Sequence, residues 1–186
     1  MSWNNGNSLS ERELVRLVGN GDPRGQRELY QRYAGVLTAV AARYLQDQDQ
    51  LKDVLQDAFI RIFEHFHSFR YRGEGSLRAW MSKIVTNGAL QALRRDSRLL
   101  PSSELPESLP DEDPDIDEVP MEVLQDIIRN LPDGYRTVFN LFVFEQMKHK
   151  EIAALLGIKE NSSASQLLRA KALLAKEIKD YKKNGA

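Results

Sequence analysis

The sequence predicts an all-α fold of two small helical domains joined by a flexible acidic linker, with a helix-turn-helix in the C-terminal domain. Three observations lead to this prediction. Apolar residues recur at helical spacing on both sides of residues 97–120. The segment between them is acidic and rich in proline. Near the end of the chain, a short helix, a glycine and a second helix follow one another as a helix-turn-helix requires.

Charge divides the 186 residues into predicted domains at 8–96 and 121–183 and a linker at 97–120. Residues 1–96 hold 14 Lys or Arg and 11 Asp or Glu, and residues 121–186 hold 11 and 8. Residues 97–120 hold one arginine, eight acids and five prolines, a net charge of −7. Such a segment buries too little apolar surface to offset its ordering entropy, so we expect a tether.

Composition excludes several classes of protein. The chain has no cysteine, which rules out disulfides and Cys-based metal sites. Its N-terminus lacks the pattern of a signal peptide and no apolar run is long enough to cross a bilayer, so we expect a soluble, cytoplasmic protein. The sequence contains no phosphate-binding loop and no metal-ligand spacing. We therefore expect that the protein is not an enzyme, has no catalytic residue, and binds no cofactor, metal or small-molecule substrate.

The first helices of the N-terminal domain are marked by their caps. Ser10-x-x-Glu13 is a capping box that opens the first helix. Asp22 then caps a second helix with Pro23 at its first position. The third helix has a wide apolar stripe and, opposite it, an exposed stripe with one apolar residue among polar ones: Asp53, Gln56, Asp57, Ile60 and Glu64. This second stripe is either a solvated face or a partner-docking surface.

A loop of alternating aromatic and basic residues, His67–Ser76, follows the third helix and contains two glycines. Rings that stack on unpaired bases and arginines that hold phosphates suit single-stranded nucleic acid, although Phe69 could equally be buried. A fourth helix opens at Ser76. Its polar face carries Arg78, Lys83, Asn87, Gln91, Arg94, Arg95 and Arg98, and the Arg94–Arg95 pair can contact phosphates or complement the helix dipole.

The predicted helix-turn-helix turns at Gly157. Ile152, Leu155 and Leu156 face one side of its first helix. The second helix is predicted to start at an N-cap among Asn161, Ser162 and Ser163, with a capping box from Ser163 to Gln166. Its inward residues are predicted as Ser163, Leu167, Ala170 and Leu174, and its outward residues as Ser162, Ser165, Gln166 and Arg169. Such an outward face meets base edges in a recognition helix, whereas the alternative is an ordinary antiparallel helix pair.

Two blocks of motifs together resemble the sigma-70 superfamily, in the short layout of its extracytoplasmic-function (ECF) class. The first block comprises Asp53-Val54-x-Gln56-Asp57-x-Phe59, Phe69, Trp80-Met81-x-x-Ile84-x-x-Asn87 and Arg94-Arg95-x-x-Arg98. The second comprises Leu131-Pro132, Arg136, Glu151-Ile152-Ala153, Leu156-Gly157-Ile158 and Arg169-Ala170-Lys171. The resemblance spans about residues 10 to 180.

The resemblance implies an RNA polymerase sigma factor with three binding surfaces. The third-helix stripe, Asp53 to Glu64, falls where such factors dock on the beta-prime subunit of core polymerase, which they bind together with beta. Minus-10 recognition and melting fall on Phe69, Arg70, Tyr71, Arg72, Ser76, Lys83, Asn87, Arg94, Arg95 and Arg98. Minus-35 recognition falls on Ser162, Ser165, Gln166, Arg169 and Lys171. The resemblance also implies a linker threaded into the polymerase channels and an anti-sigma partner, often membrane-linked.

One departure from the family pattern concerns base recognition. Many members carry Gly-Thr-Val-Lys-Ser-Arg before the recognition helix, whereas residues 161–166 here lack both cations. Specificity is therefore expected to depend more on Gln166, which can pair with adenine, and on Arg169. The rival interpretations are a stand-alone helix-turn-helix regulator, with residues 1–96 as its sensor or dimerisation domain, and a helical adaptor without nucleic acid.

Overall fold

The computed structural model describes residues 9–95 and 114–184, and every regular element in these two ranges is a helix. The chain forms two compact units that divide between Ala92 and Leu93, here called the N-terminal and C-terminal units. The all-α prediction is confirmed. Of the tether predicted for residues 97–120, residues 97–113 lie outside the described residues. Residues 114–120 are described and lead into the helix that begins at Met121, and Asp115 among them accepts from Lys182 Nζ at 2.8 Å. Within the described ranges, no helix has the length and apolarity needed to span a bilayer.

The N-terminal unit contains α1 (Glu11–Gly19), α2 (Pro23–Ala42), α3 (Gln48–Glu64) and all but the last three residues of α4 (Ser76–Arg95), with a 3-10 turn at Phe66–Ser68. Local hydrogen bonds set the helix starts. The predicted capping box is present, since the Ser10 amide donates to Glu13 Oε2 at 3.0 Å and the Glu13 amide donates to Ser10 Oγ at 3.2 Å. Asp22 Oδ1 accepts from the Arg24 amide at 2.9 Å, as its predicted cap role requires.

The core of this unit forms where α1 packs on α2 and α2 packs on α3. Its fully buried side chains come from all four helices and include Leu14, Leu29, Leu37, Ile62, Leu77 and Met81. On α4, Gly88 allows a close approach to α3, because a Cβ added there would lie 3.3 Å from Val54 Cγ1. The helical periodicity of the sequence therefore identifies most of the buried residues of the N-terminal unit, with Tyr30 on α2 as an exception.

The C-terminal unit contains α5 (Met121–Arg129), α6 (Asp133–Val143), α7 (His149–Leu156) and α8 (Glu160–Asn184). The long α8 packs against α5, α6 and α7. A buried arginine closes the turn between α5 and α6: Arg136 Nη1 donates to the carbonyls of Arg129 and Leu131 at 2.9 Å each. Arg136 Nη2 also donates to the Asp133 carboxylate. Its charge is thus paired and its turn fixed.

The helix-turn-helix is present, but its second helix starts earlier than predicted. Gly157 has φ +70° and ends α7 in the left-handed conformation, as expected. Only Ile158 and Lys159 separate it from α8. Asn161 to Ser163 therefore lie inside the first turn, and their prediction as N-caps is wrong. The Ser163 amide donates to the Lys159 carbonyl at 3.1 Å, and Ser163 Oγ lies 3.0 Å from His149 Nδ1.

Candidate binding surfaces

The predicted stripe on α3 is exposed along its whole length. It comprises Asp53, Gln56, Asp57, Ile60 and Glu64 and is called the docking stripe below. The Ile60 side chain is 48% exposed. The opposite face of α3 is buried through Val54, Ala58 and Ile62, so the helix cannot turn the docking stripe inward without exposing the core. An exposed isoleucine ringed by carboxylates is a suitable anchor for a partner with basic groups.

A second exposed apolar residue lies on α2 and was missed by the sequence analysis. Tyr30 is 53% exposed, and its ring centroid lies 4.7 Å from that of the buried Phe59 on α3. The helical periodicity of α2 places Tyr30 beside the buried row that contains Leu29 and Tyr33, so its spacing alone indicates a core residue. Its exposure became visible only with the packing of α2 on α3.

The loop after the 3-10 turn begins with an aromatic cluster. The ring of Phe69 lies 5.2 Å from that of Trp80 on α4 and 5.9 Å from that of Phe66, measured between centroids. Phe66 is buried, whereas Phe69 and Trp80 are half-buried. Both alternatives for Phe69 are therefore partly realised: one side of its ring packs on the protein, and the remainder of the side chain meets solvent.

The next residues of this loop present cations and an aromatic ring to solvent. Arg70 and Arg72 are exposed, and Tyr71 is half-exposed. Arg70 Nη1 donates to the His67 carbonyl at 3.2 Å, and the Arg72 amide donates to Ser76 Oγ at 3.2 Å. We call residues 69–75 the aromatic loop. It holds rings and guanidinium groups at the surface, the combination that unpaired bases and phosphates require.

The C-terminal end of the aromatic loop is attached to α1 through Glu11, whose side chain is only 3% exposed. Glu11 Oε2 accepts from the Gly75 amide at 3.0 Å, and Oε1 accepts from the Leu77 amide at 3.1 Å. This contact was not predicted from the sequence. The spacing of Glu11, Leu14 and Val18 at i, i+3 and i+7 could have indicated it, because this spacing places the carboxylate in the buried row of α1.

The same carboxylate reaches α2. Tyr33 Oη donates to Glu11 Oε2 at 3.3 Å. Burial of the phenol raises the pKa of Tyr33, and the nearby charge of Glu11 and its hydrogen bond raise it further. Both effects favour the neutral phenol, which is the form that can donate to the carboxylate.

The polar face of α4 continues the surface of the aromatic loop. Lys83, Asn87, Gln91 and Arg94 are exposed and recur at helical spacing, and we call them the α4 stripe. Trp80 lies on the same face of the helix one turn before Lys83, and its ring contacts Phe69. Ser76 is half-buried, Arg78 and Arg95 are exposed, and Arg98 lies outside the described residues.

The inward side of α8 agrees with the sequence prediction, because Ser163, Leu167, Ala170 and Leu174 are all buried. The outward placement of Gln166 is wrong, since its side chain is only 5% exposed. The physical reason is the packing of α8 against both α6 and α7. A helix covered from two directions buries a wider arc than a single row, and Gln166 lies at the edge of that arc.

The exposed row of the first turns of α8 consists of Asn161, Ala164, Ser165 and Leu168, of which Leu168 is 41% exposed. Of the other predicted residues, Ser162 and Lys171 are half-buried. Arg169 is half-buried too, and its Nη1 donates to Tyr135 Oη on α6 at 3.4 Å.

Three exposed lysines lie near the starts of α7 and α8: Lys148, Lys150 and Lys159. No role was predicted for them from the sequence.

Comparisons with known proteins agree on one family. The model of Sigma-70 region 2 matches residues 29–99, and the model of Sigma-70 region 4 matches residues 121–174. The ECF RNA polymerase sigma-E factor of Haemophilus influenzae is 27% identical over 184 residues, covering 91% of this chain and 96% of the relative.

Two further similarities extend over nearly the whole chain. The RNA polymerase sigma-H factor of Pseudomonas aeruginosa is 27% identical, covering 90% of this chain and 93% of the relative. The solved structure of CnrH in complex with the cytosolic domain of CnrY shares the fold, with a TM-score of 0.50 and 22% identity over 91% of this chain and 97% of that one. The chain belongs to the sigma-70 family and is an RNA polymerase sigma factor of the ECF class, which recognises promoters and initiates transcription with core polymerase.

Proposed function

We propose that three surfaces divide the work of initiation, beginning with core polymerase binding at the docking stripe. Ile60 supplies an apolar anchor, and Asp53 and Asp57 supply charges for basic side chains of the beta-prime subunit. Exposed carboxylates steer a basic partner and fix its register, while burial of the isoleucine contributes the apolar part of the affinity. The exposure of the whole stripe on a helix whose other face is core supports this assignment.

The aromatic loop and the α4 stripe bind the unpaired strand of the minus-10 element. The observation that carries this assignment is the contact of Phe69 with Trp80, which joins the exposed loop to the exposed face of α4. Tyr71 stacks on an unpaired base, and Arg72, Lys83 and Arg94 hold phosphates. Opening the duplex costs a few kcal/mol for each base that leaves the stack, so a surface that binds only unpaired bases favours the open state.

The exposed row of α8 reads the minus-35 element in the major groove. Asn161 and Ser165 offer hydrogen bonds to base edges, and Leu168 offers an apolar contact for a thymine methyl group. Lys148, Lys150 and Lys159 neutralise phosphates beside the groove.

We assign the two DNA-binding domains to residues 8–96 and 121–183. Residues 97–120 connect them through the polymerase channels, where their acids match the charge of nucleic acid.

An anti-sigma protein is the expected regulator, as the family resemblance implies. Such a partner, membrane-linked in the way the family resemblance implies, holds the chain inactive by covering a surface that polymerase needs. The factor works in the cytoplasm, beside polymerase and chromosomal DNA.

The experiment that tests this proposal is reconstitution with bacterial core polymerase followed by genome-wide mapping of transcript starts. Starts that share elements near minus-35 and minus-10 are expected only when the chain is present. A stand-alone regulator would instead bind minus-35 duplex tightly as a dimer without core polymerase. That result would contradict the assignment of the docking stripe.

A further inference from the structure

The buried carboxylate of Glu11 is a site that the assigned surfaces do not use. It lies at the start of α1, yet all its distant partners belong to the loop–α4 junction and to α2. Leu77 is the second residue of α4, and Gly75 directly precedes that helix. Glu11 therefore binds the positive end of α4 from 64 to 66 residues away in sequence, in place of a local N-cap.

The junction adopts a backbone conformation that needs this anchor. Gly73 and Gly75 have φ of +118° and +85°, a region that L side chains rarely adopt. Glycines at these positions leave the unfolded loop with many conformations, so order here must come from specific contacts. These contacts include the two amides bound by Glu11, the Ser76 hydroxyl, which donates to the Gly73 carbonyl at 2.6 Å, and the Arg72 amide, which donates to Ser76 Oγ.

The aromatic loop is consequently held at both ends. At its start, the Phe69 ring packs on Phe66 and Trp80, and the Phe69 amide donates to the Phe66 carbonyl at 3.0 Å. At its end, Glu11 holds the Gly75 and Leu77 amides. Tyr71 and Arg72 lie between the two anchors. Side chains presented from a preorganised segment lose less conformational entropy when they bind than those on a free segment.

We propose that Glu11 is a positioning residue for promoter opening: its carboxylate orders the aromatic loop so that Tyr71 and Arg72 are in place when bases unpair. The proposal rests on the proposed minus-10 function of that loop. Glu11 touches no DNA in this mechanism, and it acts only through the junction that it holds.

The substitution Glu11→Gln is the most specific test, because it keeps the size of the side chain. Each carboxylate oxygen accepts from a backbone amide, Oε1 from Leu77 and Oε2 from Gly75. A glutamine must place its own NH2 group against one of these amides in either orientation, and a backbone N–H cannot become an acceptor. The hydroxyls of Tyr33 and Ser76 can turn to accept, so the loss falls on the junction backbone.

The matched control is Glu13→Gln on the same helix. Glu13 is exposed, and its side chain accepts hydrogen bonds from the amide and the hydroxyl of Ser10 in the capping box. The readout is the rate of open-complex formation by reconstituted holoenzyme as a function of its concentration. A fold that is merely weakened lowers the concentration of active factor, whereas a misplaced loop lowers the isomerisation rate at saturation. We expect Glu11→Gln to slow that saturated rate about tenfold or more, and Glu13→Gln to change it less than about twofold.

Amide hydrogen exchange of the free chain gives an independent readout. Glu11→Gln should accelerate exchange at Gly75 or Leu77, and core polymerase affinity should stay unchanged. Glu11→Asp keeps the charge but reaches less far, so an intermediate saturated rate is expected from it even if the glutamine variant is too unstable to assay. Faster exchange with an unchanged saturated rate would overturn the inference.

The Tyr71→Ala/Arg72→Ala variant separates this inference from the proposed function. If that variant opens promoters slowly while Glu11→Gln opens them normally, the loop function stands and the positioning role is lost. If the loop variant opens promoters at the normal rate, the proposed function of the loop is wrong and the inference falls with it.

Discussion

The two units differ in how well their predicted binding faces agree with the structure. In the N-terminal unit, the docking stripe and the described cations of the α4 stripe are exposed, as their spacing predicts. In the C-terminal unit, Gln166 is buried and Arg169 is half-buried and bound to Tyr135. The difference follows from packing. A helix that lies on the outside of a bundle has one buried face, whereas α8 lies against three other helices.

Because of this difference, we expect the two units to bind different partners. The N-terminal unit can use wide helix faces because α3 and α4 each leave one side open to solvent. On α8 of the C-terminal unit, the exposed row of the first turns, from Asn161 to Leu168, is narrow, since Ala172 one turn later is buried. Binding of a large protein partner is therefore expected to belong to the wide faces, and base reading to the narrow row.

The largest expected effect is on the docking stripe. Reversing Asp53 and Asp57 to lysine should weaken core polymerase binding by more than about 100-fold, because like charges across an interface cost several kcal/mol. The measurement is the affinity for core polymerase, with helical content checked by circular dichroism. The matched control is reversal of Glu177 and Asp180 on α8, two exposed acids that give the same change in net charge. Equal affinities for the two variants would exclude the docking assignment.

The next effect concerns the aromatic loop. Replacing Tyr71 and Arg72 by alanine should slow open-complex formation by roughly 10- to 100-fold, because base stacking on an aromatic side chain contributes about 1 to 3 kcal/mol. Binding to minus-35 duplex should be unaffected. The measurement compares a normal promoter with one opened in advance at the minus-10 element. Equal defects on both templates would show that loss of melting alone does not explain the variant.

These two surfaces also show how far the sequence could predict the site. Spacing and composition predicted the docking stripe, the start of α4 at Ser76 and the buried side of α8, because each depends on local periodicity or a local cap. The role of Glu11 could not be predicted in the same way, since its partners Gly75 and Leu77 at the start of α4 lie more than sixty residues away. The predicted exposure of Gln166 was wrong for a related reason, because the width of the buried arc of α8 depends on where α6 and α7 lie.

A smaller effect is expected on α8, where exposed and buried residues of the same helix can be compared. Alanine at Asn161 or Ser165 should reduce discrimination between minus-35 sequences by about 1 to 3 kcal/mol at one or two positions. Alanine at Gln166 should instead lower the free energy of unfolding by about 1 to 3 kcal/mol and leave discrimination unchanged, because a buried side chain is removed.

The measurements on α8 are competition binding to a set of minus-35 duplexes by holoenzyme and denaturant unfolding of the free chain. Ala164→Ser provides a control in the exposed row that adds a hydroxyl and removes no contact. Discrimination lost on Gln166→Ala at unchanged stability would mean that α8 rotates on binding DNA.

The smallest expected effect is a pH dependence confined to the N-terminal unit. The pKa of Tyr33 is raised in the folded state by burial and by Glu11, so the folded unit keeps its proton where the unfolded chain releases it. The resulting stabilisation is complete below the unfolded pKa of about 10 and is lost as the pH rises through the folded pKa.

The variant Tyr33→Phe removes this contribution. Its free energy of unfolding should therefore fall less steeply above about pH 10 than that of the unmodified chain. Trp80 lies on α4 in this unit, so its fluorescence during denaturant unfolding reports on this unit. Parallel curves for the two proteins between about pH 9 and pH 11 would mean that the pKa of Tyr33 is the same in the folded and the unfolded chain, which would contradict this prediction.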